Sequence, residues 1–235
     1  STGETTIVVM TQRATIQELS AAGRHQECLQ ACQHALKVNP DEKTFAYKHA
    51  GKSLLALGQL EKAQQYLLKA HQLDGNDPEI TKDIGNIFFN LGDQNTALRW
   101  YEKSLEINNK YAPAFNNIAN QKQKSGNHQE AIQLFNQAIK ADTKLIQAYI
   151  GAAASDLALG NLDQAASFAA QALEINERAP KANEILGIVF QNRNKHNQAV
   201  ECYQKEVEIN PNASNSLLNL GLLLLQQGQT HAALD

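Results

Sequence analysis

Three side chains near the start have the types and spacing of a metal site. His25, Cys28 and Cys32 stand at i, i+3 and i+7, so a helix would carry an imidazole and two thiols on one face, a set that zinc accepts. A fourth ligand is not evident. Cys202 has no partner in sequence, and His34, His71, His128, His196 and His231 are scattered over the chain. Carboxylates such as Glu102, Glu106 and Glu130 are spread along it rather than paired. No phosphate-binding G-x-x-x-x-G-K, no G-x-G-x-x-G, no H-E-x-x-H and no C-x-x-C occurs. These residues predict no catalytic group, no cofactor and no metal, hence a protein that is not an enzyme.

The bulk properties narrow the partners. The 235 residues carry 21 basic and 24 acidic side chains, a formal net charge of −3, too balanced for nucleic acid or an anionic membrane surface as the main partner. Aromatic residues make up 6% with a single Trp, which argues against a base-stacking platform. No run approaches the roughly 18 apolar residues of a membrane span, and Ser1–Met10 lacks the basic start of a signal peptide. Three cysteines without framework spacing suit a reducing, cytoplasmic setting.

What must position any functional residue is a repeat. Gly58, Gly92, Gly126 and Gly160 recur every 34 residues; the count continues to Asn194 and Gly228, and Gly23 precedes it one residue out of phase. Helical patterning flanks each glycine, and Pro40, Pro78, Pro113, Pro180 and Pro211 fall at the junctions between repeats. The recurring glycine marks a turn with positive φ between two helices, which Asn tolerates next best. Seven residues earlier stand Gly51, Gly85, Ala119, Ala153, Gly187 and Gly221; five later stand Ala63, Ala97, Ala131, Ala165, Ala199 and Ala233. Such small residues let the paired helices approach. Tyr101, Phe135 and Tyr203, with Leu67 and Ala169 as variants, lie four residues beyond the alanine and are expected to fill the gap between hairpins. Cys28 and Cys32 occupy the small and ring positions of the first repeat, which predicts packed thiols in place of metal ligands. No hairpin of this size buries its apolar face alone, so the stack is the folding unit.

These residues resemble the tetratricopeptide repeat (TPR) family. Ile84-Gly85 and Phe88 with Ala97 and Tyr101, and Leu186-Gly187 and Phe190 with Ala199, Tyr203 and Pro211, are similar to its signature. Departures are Ile16 and Cys28 at small positions, an extra residue near Lys43, Tyr47, Phe115 and Tyr149 where the family often has Trp, and Glu206 at a small position. The resemblance implies an all-α, right-handed superhelical solenoid of antiparallel helix pairs. Its expected organisation is an N-terminal extension (1–8), a divergent first repeat (9–43), five regular repeats (44–213) and a truncated seventh (214–235).

The resemblance also implies a concave groove lined by the first helix of each repeat. The positions that face it are Lys48, His49 and Lys52; Lys82, Asp83 and Asn86; Asn116, Asn117, Asn120 and Lys124; Ile150, Gly151 and Ala154; Lys181, Glu184 and Ile188; and Leu218, Asn219 and Leu222. The groove is thus expected to be basic and amide-rich first, then apolar. An Asn side chain both donates and accepts, so it can pair with a peptide backbone of any sequence. Asp83, Asn117 and Asn219 share one repeat position, similar to a fragment of the asparagine ladder in the TPR domain of O-linked N-acetylglucosamine transferases, interrupted by Gly151 and Ile185. The expectation is an extended peptide or partner protein, its acidic part near Lys48, Lys52 and Lys82; the alternative is a merely solvated helix face. The carboxylate clamp of chaperone-binding TPR proteins is not expected, because Asp83 would repel the ligand.

Ser216–Gln226 places leucines on every face of a helix, which suggests either further repeats beyond Asp235 or self-association through this end. Two functions stay open: a non-catalytic interaction scaffold, or the substrate-recruiting or dimerising arm of a larger enzyme such as a glycosyltransferase.

Overall fold

The computed structural model describes residues 2–226 and 228, with side chains from residue 12 onward. Ala233, His231 and the second helix of the last repeat lie outside the described residues. Within them the chain forms thirteen α-helices and no strand: α1 (Thr2–Ala21), α2 (His25–Val38), α3 (Lys43–Ala56), α4 (Leu60–Leu73), α5 (Pro78–Asn90), α6 (Gln94–Ile107), α7 (Ala112–Lys124), α8 (His128–Ala141), α9 (Ile146–Ala158), α10 (Leu162–Ile175), α11 (Ala182–Asn192), α12 (His196–Ile209) and α13 (Ser214–Gln226). The expected solenoid of helix pairs is what forms: α3 packs on α4, α5 on α6, α9 on α10 and α11 on α12, and each pair on a neighbouring pair. Helix α1 is continuous from Thr2, so residues 2–8 and the first helix of the first repeat are one element.

The two turns of each repeat have separate causes. Inside a hairpin, Gly58 sits at φ 72 and Asn194 at φ 57. The Gly58 N–H reaches Leu55 O (3.1 Å) and the Gln59 N–H reaches Leu54 O (2.9 Å). This Schellman pair satisfies two carbonyls orphaned at the helix end. A Cβ on Gly58 would meet nothing within 4 Å, so the sign of φ alone selects glycine there, and Asn194 can replace it. Between hairpins, Asp74, Asn108, Asp142, Asn176 and Asn210 each end a helix in extended conformation. Each side chain accepts the N–H two residues on, at 3.0, 3.0, 2.9, 2.9 and 3.1 Å respectively. These Asx turns share the 34-residue spacing.

The recurring large side chain packs within its own hairpin as well as toward the next: Leu67 shares a cluster with Ile80, Ile84 and Ile87, and Phe135 one with Ala119, Ala148 and Ala152. Leu67 fills the space a Cβ would take on Gly51, Tyr101 that on Gly85 and Tyr203 that on Gly187, while Phe135 fills that on Gly151 of the following repeat. Tyr101, Phe135 and Tyr203 are 2%, 0% and 0% exposed, and each such burial stabilises by about 1.5–3 kcal/mol.

The chain divides into two compact units, residues 1–114 and 115–235. The core of the first runs from Ile16, Cys28 and Cys32 through Leu54 and Leu67 to Ile80, Ile84 and Ile87. The second holds successive clusters around Phe135, Tyr149, Ile185 and Tyr203.

Candidate functional site

In the first unit the lysines expected to attract an acidic ligand are engaged within the chain. Asp77 caps α5, its Oδ1 accepting from Glu79 N at 2.8 Å and Ile80 N at 3.2 Å, and its Oδ2 takes Lys48 Nζ at 2.6 Å. Lys48 also meets Glu79 Oε2 at 2.6 Å, Lys52 pairs with the other Glu79 oxygen, and Lys82 pairs with Asp83. Burial opposes the Lys48 charge, yet hydrogen bonds to Asp77 and Glu79 outweigh it and hold its pKa above the usual lysine value. Burial likewise works against the Glu79 charge, but Lys48 and Lys52 bring that carboxyl down to about 2. Each of the three lysines is therefore paired with a carboxyl group of the same unit, Lys48 and Lys52 with Asp77 and Glu79 and Lys82 with Asp83.

Asp83 and Asn86 of the first unit are similarly tied. Asp83 is 3% exposed. Burial raises its pKa, an effect that Lys82 only partly offsets. Its Oδ1 accepts from Asn86 Nδ2 at 3.2 Å, and Asn86 Oδ1 accepts from the Tyr101 hydroxyl at 2.9 Å. Asn86 thus orients the ring that packs on Gly85. His49 is pushed down to about 4 by burial and by Lys52 and Lys48, so its imidazole is neutral at physiological pH.

The second unit gathers Asn116, Asn120 and Ile150 into one cleft of about 360 Å³, together with Gln123, Ile146, Gln147, Gly151, Ala154, Pro180 and Lys181. Helices α7 and α9 supply most of its walls, and the residues before α11 close one side. Gln123 ties the two helices together, its Nε2 donating to Gly151 O at 2.9 Å and Ser155 Oγ at 2.8 Å. Gly151 forms floor because the Phe135 ring fills its Cβ position from behind. Asn116 is 8% exposed, and its Oδ1 finds no donor among the described residues. At the rim, Lys181 adopts φ 65, and its N–H is held by Glu206 Oε1 at 2.9 Å.

Other expected groove residues lie elsewhere. Asn117 is half-buried and Lys124 exposed, neither lining the cleft. Ile188 packs with the Ala199, Tyr203 and Leu223 cluster, and the Tyr203 hydroxyl beside it donates to Gln191 Oε1 at 2.8 Å. The ladder position Asp83 is engaged inside the chain. Gln123, Ile146, Gln147 and Pro180 were not anticipated; the i, i+4, i+7 spacing of Asn116, Asn120 and Gln123 was the signal that could have found the first.

The cysteines are core. Cys28 and Cys32 are both 0% exposed, the Cys28 thiol points at Ile16 O at 3.6 Å, and burial and the Cys28 neighbour raise the Cys32 thiol far above the usual range. Among the described residues no three His, Cys, Asp or Glu side chains are placed to hold a metal, and no helix is long and apolar enough to cross a membrane. On α13, Leu217, Leu218, Leu222 and Leu225 are exposed.

Two family profiles described as tetratricopeptide repeat match the chain, one at residues 46–77, 83–111 and 112–144 and the other at 202–235. Human E3 SUMO-protein ligase RanBP2 is 34% identical over 58 residues, 25% of this chain and 2% of that protein. TPR repeat-containing protein MJ0940 of Methanocaldococcus jannaschii is 38% identical over 93 residues, 40% of this chain and 29% of that protein. Human protein O-mannosyl-transferase TMTC3 is 32% identical over 97 residues, 41% of this chain and 10% of that protein. The chain therefore spans less than a third of each of these relatives. Among solved structures, PilF of Pseudomonas aeruginosa superposes with a TM-score of 0.75 at 20% identity, over 82% of this chain and 87% of that one. YrrB, described as a TPR protein with an unusual peptide-binding site, gives 0.56 at 21% identity over 80% and 96%. At these identities the likeness is one of fold.

Proposed function

The chain belongs to the tetratricopeptide repeat family, and on that premise we propose that it is a non-catalytic interaction scaffold whose second unit receives an extended peptide across α7 and α9. The observation that carries this reading is the cleft of about 360 Å³ in which Asn116 and Asn120 converge with Ile150 while Asn116 Oδ1 has no donor. Buried polar atoms are normally hydrogen-bonded, so an acceptor without a donor among the described residues, beside an open cleft, is available to a ligand N–H. YrrB, which shares this fold and is described as having an unusual peptide-binding site, lends support by analogy. An acidic stretch of the partner, if it engaged the first unit, would have to displace Asp77, Glu79 and Asp83 from their lysines. The weight of the reading therefore falls on the amides of the second unit.

The test is selection of a random phage-displayed peptide library on the whole chain, followed by titration of the selected peptides against an Asn116→Ala/Asn120→Ala variant. Loss of affinity is expected; unchanged capture overturns the reading. Free, buried Cys28, Cys32 and Cys202 fit work in a reducing, cytoplasmic compartment. The exposed α13 leucines support self-association, which sedimentation of a Leu218→Glu/Leu222→Glu variant tests. A second reading, the recruiting arm of a larger enzyme, is favoured by the partial match to a protein named as an O-mannosyl-transferase. Finding a catalytic domain encoded in the same native transcript decides for it.

A further inference from the structure

Resting on the peptide reading of the second unit, we infer that its cleft is a pocket for one bulky apolar side chain, with the adjoining ligand N–H delivered to Asn116. The apolar walls are Ile146, Ile150 and Pro180, and the floor is Gly151 and Ala154. Ala154 leaves depth that a larger residue there would fill. At Gly151 the depth is enforced, since the Phe135 ring occupies the Cβ site and excludes any side chain. The volume of about 360 Å³ lies at the lower end of the ~300–1,000 Å³ of ligand sites. It suits a Phe or Leu side chain with its own backbone.

Charge and hydrogen bonding narrow the occupant further. No carboxylate lines the cleft, and its single cation, Lys181, is exposed at the rim. The Gly151 carbonyl is already taken by Gln123, so the floor offers no free acceptor there. Asn116 does: its amide is 8% exposed, and its Oδ1 lacks a donor. The terminal torsion of Asn is broad, so rotation about it can present the buried Oδ1 to a backbone N–H beside the anchored side chain. Apolar burial supplies the affinity, and the amide fixes the direction of the backbone.

N-acetyl-phenylalaninamide, N-acetyl-glycinamide and N-acetyl-aspartic acid amide are the probes, titrated separately into the isotopically labelled full chain and followed by backbone amide NMR. The phenylalanine probe is expected to shift Asn116, Ile150, Gly151, Ala154 and Lys181 saturably, and the glycine and aspartate probes to do so about tenfold more weakly or not at all. Ala154→Leu fills the cleft and should weaken the phenylalanine probe about tenfold while the remaining spectrum is preserved; Ile150→Ala, which shortens a wall without adding bulk, should weaken it too. Equal response to all three probes, preference for the aspartate probe, or shifts indifferent to both variants overturns the assignment. Library peptides that bind the second unit without an apolar residue at the cleft overturn the pocket and leave the groove reading standing. If neither peptides nor probes reach the second unit, both fall.

Discussion

Glu206 Oε1 accepts the backbone N–H of Lys181 at 2.9 Å, from a side chain that is 1% exposed and whose Oε2 has no donor among the described residues. The equivalent position one repeat earlier is Ala172, and two repeats before that Ser104 donates to Pro78 O at 2.7 Å. Pro78 opens α5, whereas the residues after Pro180 delay α11 until Ala182. The departure from a small residue thus serves a local exception: a carboxylate fixes a first turn that has left the helix.

Lys181 holds a left-handed backbone, φ 65, which costs a non-glycine residue about 1–2 kcal/mol. Lys181→Gly is expected to stabilise the chain by about 1 kcal/mol, read as a raised midpoint of chemical denaturation. Glu206→Ala should destabilise it, by leaving the Lys181 N–H unpaired and opening a void. A neutral Lys181→Gly would mean that the left-handed turn is not the favoured state in solution.

Two glycines of one repeat should respond to alanine for different reasons. At Gly85 a Cβ would lie 2.5 Å from Tyr101 Cε1 and 3.2 Å from Ala97 O, so Gly85→Ala forces the hairpin apart and should cost about 1–3 kcal/mol. At Gly92, φ 85, there is nothing within 4 Å, so alanine there should cost about 1–2 kcal/mol through backbone strain alone. Combining Tyr101→Leu with Gly85→Ala should recover part of the first loss, and combining it with Gly92→Ala none of the second. Denaturation midpoints of the four variants check this, and equal rescue of both would remove the steric account.

Much of the fold was legible because its determinants are local. The 34-residue glycine announces a positive φ, and every member of that series, with Asn194 in its place, adopts one. Cys28 and Cys32 could be assigned to core because their repeat positions are small and ring positions. One close approach was not legible: Phe135 also meets Gly151 of the following repeat, where a Cβ would clash with its ring, and the repeat phase alone does not mark that glycine. The basic half-groove was misjudged because Asp77, the cap of α5, and Glu79 reach Lys48 across 29 and 31 residues of chain, and helix-face reading does not see carboxylates on the next element.

The Asx turns predict a graded loss that depends on one side-chain oxygen. Asn108 Oδ1 accepts Lys110 N at 3.0 Å between α6 and the helix that follows it in sequence. Asn108→Ala removes the acceptor and should cost about 1 kcal/mol, whereas Asn108→Asp keeps it and should cost much less. Denaturation of both variants checks the ordering, and equal losses would deny the turn its role.

Glu79 and Asp83 should give opposite pH dependences although both face lysines. The Glu79 carboxyl is lowered to about 2 from 4.5, so the folded state binds its proton less readily than the unfolded chain. Its stabilising contribution is complete above about pH 4.5 and is lost as pH falls toward 2. Asp83 is raised by burial, so the folded state binds its proton more readily, and keeping it ionised at neutral pH destabilises the fold. Glu79→Gln should therefore lower stability at pH 7, and that deficit should shrink as the pH is taken down to 3. Asp83→Asn, which keeps the shape and removes the buried charge, should raise stability at pH 7 and lose that advantage in acid. Urea denaturation of both variants and the parent at pH 7, 5 and 3 separates the two signs. A stabilising Glu79→Gln at pH 7 would mean that Lys48 and Lys52 do not outweigh the cost of burying that carboxylate.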